Sequence, residues 1–113
     1  IYLIYAEACM QLGVQEVALP KLQELSARAG VDPPSEITRD FLVAERAREL
    51  MWESHRRTDL IRYDLFSSAE YLWPFKGGEE AVLGQKFDDY KKLFAIPASQ
   101  IKANPGLNNP VGY

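Results

Sequence analysis

Apolar positions recur at three- and four-residue spacings through the first half of the chain, and the helices they predict stop at glycines. Residues 1–12 read as a first helix, with Ala6 and Ala8 small enough for a neighbour to approach and Gly13 placed just past its end. Residues 14–29 read as a second helix closed by Gly30, with Val17, Ala18, Leu22 and Leu25 directed at the first. Pro20 interrupts that pattern, because proline lacks an N–H and collides with the preceding turn; the helix either begins late, near Pro20, or kinks there. The short link makes the pair an antiparallel hairpin of tetratricopeptide-like pattern. Such a unit cannot bury its own face and has to stack on something.

Asp32, Pro33 and Pro34 mark a loop over residues 31–37. Thr38 is the expected N-cap of a third, long helix, with Asp40 in its first turn and an end near Ser54. On a helical projection Val43, Ala44, Ala47, Leu50 and Met51 share one stripe, an ordinary core face. Phe41, Leu42, Glu45, Glu49, Trp52 and Arg56 lie opposite, so the helix is apolar on both sides and expected to be covered on both. A short helix or turn is expected over residues 56–65. Residues 67–85, with their serines, glycines and Pro74, read as a long loop. Tyr71, Trp73 and Phe75 alternate within it and share one side if extended. A weak helical signal returns at residues 86–93, LFAIP resembles a short strand stopped by Pro97, and residues 98–113 read as an irregular tail held by Ile101, Leu107 and Tyr113. The fold class expected is mostly α.

Residues 45–63, ERARELMWESHRRTDLIRY, carry the densest chemistry. Glu45, Glu49 and Glu53 recur every four residues, and Arg46, Arg48, Arg56, Arg57, Asp59 and Arg62 surround them. These charges share a face with large apolar groups, and an unpaired buried charge is expensive. The pattern therefore predicts a buried ion-pair network of Glu45, Arg46, Glu49, Glu53, Arg56, Arg57, Asp59 and Arg62, arginine being suited to bind a carboxylate through two hydrogen bonds. The plainer alternative is a surface helix with i, i+4 pairs.

The 113 residues suffice for one modest domain. A net charge of −3 invites no nucleic-acid backbone, and no apolar run is long enough to cross a bilayer. Cys9 has no second cysteine to pair with and reads as a small buried thiol. His55 and Asp59 offer two metal ligands where a site needs three or four, which favours a structural histidine. The helical pattern is already under way at Ile1, so the chain is expected to be a fragment lacking an N-terminal portion.

Taken in order, four segments resemble the C-terminal part of the SusD/RagB family, over nearly the whole chain. YLIYAEA (residues 2–8) is similar to the family's Leu-Ile-x-Ala-Glu-Ala helix, and ALPKLQELSARAG (residues 18–30) to a helix ending Arg-x-Arg-Ala-Gly. Residues 45–63 resemble Glu-Arg-x-x-Glu-Leu-x-x-Glu-Gly-x-Arg-x-x-Asp-Leu-x-Arg-Trp. LFAIPASQIKANPGLNNPVGY (residues 93–113) resembles the closing Phe-Pro-Ile-Pro-x-x-Glu-Ile-x-x-Asn-Pro-x-Leu-x-Gln-Asn-Pro-Gly-Tyr. There are departures. Ser54 stands where the pattern has glycine, whose freedom at positive φ serine lacks. Tyr63 replaces tryptophan, Gln100 glutamate and Asn108 glutamine; Val111 is inserted before Gly112. Ser26 stands near the pattern's first arginine, while Arg28 keeps the second.

The resemblance implies an outward-facing outer-membrane lipoprotein, anchored by a lipid in the missing N-terminal part. Such proteins bind oligosaccharides without catalysis or cofactor and act with a SusC-like TonB-dependent transporter. It also implies that residues 45–62 are framework. Within the chain, Tyr71, Trp73 and Phe75 are the candidate glycan contacts, because aromatic faces pack on sugar rings; the length of their loop favours a role as anchors to the core instead. An enzyme is the rival reading, since Glu45 and Glu49 lie one turn apart as carboxylate pairs do in glycosidases. A general acid has to hold its proton, however, and neighbouring arginines favour the ionised form. A helical-repeat module that binds protein and not glycan is the remaining alternative.

Overall fold

The computed structural model describes residues 1–68 and 84–113. Tyr71, Trp73 and Phe75 lie outside the described residues. The chain divides into two compact units, Ile1–Asp59 and Leu60–Tyr113. Among the described residues every regular element is helical, with no strand.

The first unit opens with α1 (Tyr2–Gln11), a single 3₁₀ turn (Gln15–Val17) and α2 (Leu19–Ala29). Pro20 sits in the first turn of α2, where a missing N–H costs nothing; the helix begins late and does not kink. Both helices end on a left-handed glycine. The N–H groups of Gly13 and Val14 bond Met10 and Cys9, and those of Gly30 and Val31 bond Ala27 and Ser26, the pattern that satisfies terminal carbonyls. Leu3, Ala6 and Cys9 of α1 pack with Ala18 and Leu22 of the α2 side, Ile37 and Leu42. Leu22 and Leu42 are fully enclosed, each contributing about 1.5–3 kcal/mol by removal from water. Val17 is exposed, contrary to expectation, because it lies in the 3₁₀ turn and not on the helical phase that placed it inward.

Helix α3 (Arg39–Glu49) starts where Thr38 Oγ1 accepts the Phe41 N–H at 3.1 Å. It ends five residues before the expected Ser54, since Trp52 (φ 70°) and Ser54 (φ 62°) take left-handed backbone that no α-helix contains. Met51 and Trp52 fall in this turn and are exposed, so neither lies on the helix face the projection assigned it. Helix α4 (Arg56–Arg62) follows.

In the second unit, α4 terminates at left-handed Asp64, with the Leu65 N–H on the Leu60 carbonyl at 2.7 Å. Leu60, Tyr63 and Leu65 are buried. Phe66 meets Phe87 edge-on at 5.1 Å. The weak helical signal is a 3₁₀ turn, Asp89–Lys92. LFAIP does not become a strand. Its Ile96 gives its N–H to Asn109 Oδ1 at 2.6 Å and takes the Asn109 amide on its carbonyl at 3.2 Å, so one side chain supplies the pairing a neighbouring strand would. The tail is less irregular than expected, holding a helix α5 (Ala98–Ala103). Tyr113 closes it, ring edge-on to Tyr90 at 4.8 Å and hydroxyl donating to the Leu93 carbonyl at 2.7 Å. Gly112 (φ 115°) lies so close to the Tyr90 ring that a Cβ would collide with it.

Candidate functional site

The charged segment is distributed over α3, the turn after it and α4. Glu45 and Arg46 are both buried on α3, beside the core residues Leu42 and Val43. Arg46 reaches Asp59 of α4 at 2.8 Å, with side chains only 8% and 4% exposed. Each charge compensates the other's loss of water, which a lone buried charge could not do. Glu45 turns to Arg48, three residues on, taking its Nε–H at 2.9 Å and a second bond from its Nη2. That arginine is mostly in solvent, so the pair carries the buried carboxylate's charge outward.

Arg56 donates to the Val43 carbonyl at 2.7 Å, tying the start of α4 to α3. Arg28 of α2 places Nη2 between the Glu49 oxygens, at 2.9 and 2.6 Å, tying α2 to α3. The i, i+4 row of glutamates is not continuous. Glu45 is buried, Glu49 half-buried, and Glu53, beyond the helix end, is exposed. Arg57 is half-buried. Arg62 stacks over the Tyr63 ring at 5.0 Å.

The segment thus brings together Arg46 with Asp59, Glu45 with Arg48, and Arg56 with α3 backbone. It does not gather Glu53 with them. Sequence reasoning missed the Arg28–Glu49 link, although Arg28 was visible as the arginine kept before Ala-Gly. It also missed Asn109, whose only signal was its place in the Asn-Asn-Pro run. Among the described residues no three His, Cys, Asp or Glu side chains are grouped to hold a metal ion. His55 is exposed, and its carbonyl takes the Thr58 hydroxyl at 2.8 Å and the Asp59 N–H at 2.9 Å. Cys9 is a buried free thiol. Chemically, Glu45, Glu49 and Asp59 are each already engaged by an arginine.

Outside this segment, Asp89 takes the Ser67 hydroxyl and lies 3.1 Å from Lys92, which also bonds Asp64 at 2.6 Å. The Ser67 hydrogen bond, then Lys92, hold the Asp89 carboxyl below the usual range; Asp64, then Asp89, raise the Lys92 ammonium.

The pattern of the SusD family matches residues 1–113. The chain is 35% identical over 113 residues to the starch-binding protein SusD of Bacteroides thetaiotaomicron, an alignment covering 99% of this chain and 20% of that protein. The chain therefore spans about a fifth of the length of this curated relative. With the motifs of residues 2–8, 18–30, 45–63 and 93–113 all falling within the matched span, this chain belongs to the SusD family.

Proposed function

We propose that the chain is part of a non-catalytic oligosaccharide-binding protein of the bacterial cell surface. Its whole protein delivers glycan to a SusC-like TonB-dependent outer-membrane transporter and is held at the outer membrane by a lipid anchor outside these residues. The observation that carries the reading is the family match along the entire chain, together with 35% identity to a protein named for starch binding. The side chains support it in one respect. The carboxylates nearest to a glycosidase arrangement are occupied by arginines, as Glu45 is by Arg48 and Glu49 by Arg28, which suits framework and not acid–base chemistry. No helix among the described residues is long and apolar enough to cross a membrane.

Within this reading residues 45–62 stabilise the domain, and Tyr71, Trp73 and Phe75 are the glycan candidates from sequence. The test is affinity electrophoresis of the whole protein through gels containing starch, with and without Trp73→Ala. The reading predicts retardation by starch, weakened by the substitution, and no release of reducing sugar. Migration unaffected by starch and by other storage or cell-wall glycans sinks the function. Unchanged retardation of a folded Trp73→Ala protein sinks the site alone.

A further inference from the structure

Residues 93–97, LFAIP, form an apolar run without a charge. Leu93 has extended backbone (φ −96°, ψ 156°), and Leu93 and Phe94 are 59% and 80% exposed. Extended, apolar and exposed is the combination by which chains add to one another, because open backbone N–H and C=O groups template a second strand. Here those groups are filled from within the chain. Asn109 Oδ1 accepts the Ile96 N–H at 2.6 Å, and the Asn109 amide donates to the Ile96 carbonyl at 3.2 Å. A residue in an antiparallel ladder exchanges both bonds with the one residue opposite it, so a single carboxamide occupies the place of that residue.

The rest of the run is closed by the same tail. The Tyr113 hydroxyl donates to the Leu93 carbonyl at 2.7 Å, and Pro97 has no N–H to offer. Tyr113 is fixed in turn by its edge-on contact with Tyr90, on whose ring Gly112 also closes. Lys91 and Lys92 stand just before the run and Pro97 ends it, residue types that flank segments prone to pairing. They act at its two ends. At Ile96, between them, the hindrance comes from Asn109.

We propose that residues 104–113 are a protective strap: Asn109 and Tyr113 cap residues 93–96 and keep that segment from pairing with the same segment of a second copy. A second copy is the partner because the run carries no charge with which to repel an identical run. The strap acts whether or not the protein holds a glycan.

The test compares the whole gene product with its Asn109→Ala and Asn109→Ala/Phe94→Lys variants by sedimentation velocity between about 1 and 100 µM. Asn109→Ala is expected to gain a larger species that the parent lacks, its fraction rising at least about threefold across that range. Phe94→Lys is expected to remove it, since like charges brought opposite one another repel. Amide exchange at Ile96 is expected to be faster than the parent's in the smaller species of Asn109→Ala and slow again in the larger one. Sedimentation of Asn109→Ala identical to the parent's at every concentration overturns the proposal. Association that Phe94→Lys leaves unchanged arises elsewhere in the protein and overturns it too. Should Asn109→Ala not fold, Tyr113→Phe is read in the same way, since it removes one hydroxyl and keeps the ring against Tyr90.

Discussion

Asp59→Ala is the sharpest perturbation of the framework. The Asp59 carboxylate and the Arg46 guanidinium meet at 2.8 Å with 4% and 8% of their side chains exposed. Removing the carboxylate leaves a guanidinium enclosed and uncompensated, which costs about 3–5 kcal/mol. A surface pair of the same geometry would be worth only about 0–1 kcal/mol. For a urea dependence of about 2 kcal/mol per molar, the unfolding midpoint falls by roughly 2 M. The companion experiment replaces both partners, Arg46→Met with Asp59→Leu, which removes the charge and fills the space. It is expected to recover most of the loss, because the cost lies in the orphaned charge and not in the pair's absence. Equilibrium urea unfolding followed by far-ultraviolet circular dichroism reads all three proteins. If Asp59→Ala stays within about 0.5 kcal/mol of the parent, the pair is solvated and the buried framework does not exist.

Ser54→Gly is expected to stabilise the protein by about 0.5–1 kcal/mol, because left-handed backbone strains serine and not glycine; a lowered thermal midpoint would contradict the positive φ. Asn109→Ala removes both bonds to the Ile96 backbone and is expected to cost about 1–3 kcal/mol, with faster hydrogen exchange at Ile96; unchanged exchange would show that something else holds that strand-like segment. The Ser67–Asp89–Lys92 cluster has two pH limits. Asp89 is depressed, so its contribution is present above the unfolded value of about 3.9 and is lost as pH falls through its lower folded value. Lys92 is raised, so its contribution is complete below about 10.4 and is lost as pH rises through its higher folded value. Carboxyl NMR should show Asp89 titrating below about 3.9, and titration at or above that value refutes the contact.

The hairpin was legible because its signals are local and chemical. Gly13 and Gly30 end their helices at left-handed positions, Pro20 occupies a first turn, and Thr38 caps α3 through its own hydroxyl. The end of α3 was not legible, because the left-handed residues that stop it are Trp52 and Ser54, and neither type announces that conformation. Extending the helical projection past Glu49 then assigned Met51 and Trp52 to faces of a helix that had already ended. The glycine of the family pattern at Ser54 was the one clue, and the backbone keeps the left-handed turn with serine in place. In the tail, asparagines, prolines and glycines obscured Ala98–Ala103, a short run of helix-compatible residues between Pro97 and Asn104. LFAIP looked like a strand because apolar runs often are. Its partner is a single side chain thirteen residues away, which periodicity does not record. For the site, opposite charges near one another were readable. Their pairing was not, since it depends on the turn angle between α3 and α4.

The central claim is that the arginine–carboxylate cluster holds the domain together and takes no part in ligand recognition. Isothermal titration of oligosaccharide into the whole protein carrying Arg46→Met with Asp59→Leu tests it most directly. A Kd within about twofold of the parent's is predicted; a folded double variant whose Kd is weakened about tenfold or more would place the cluster in the binding site.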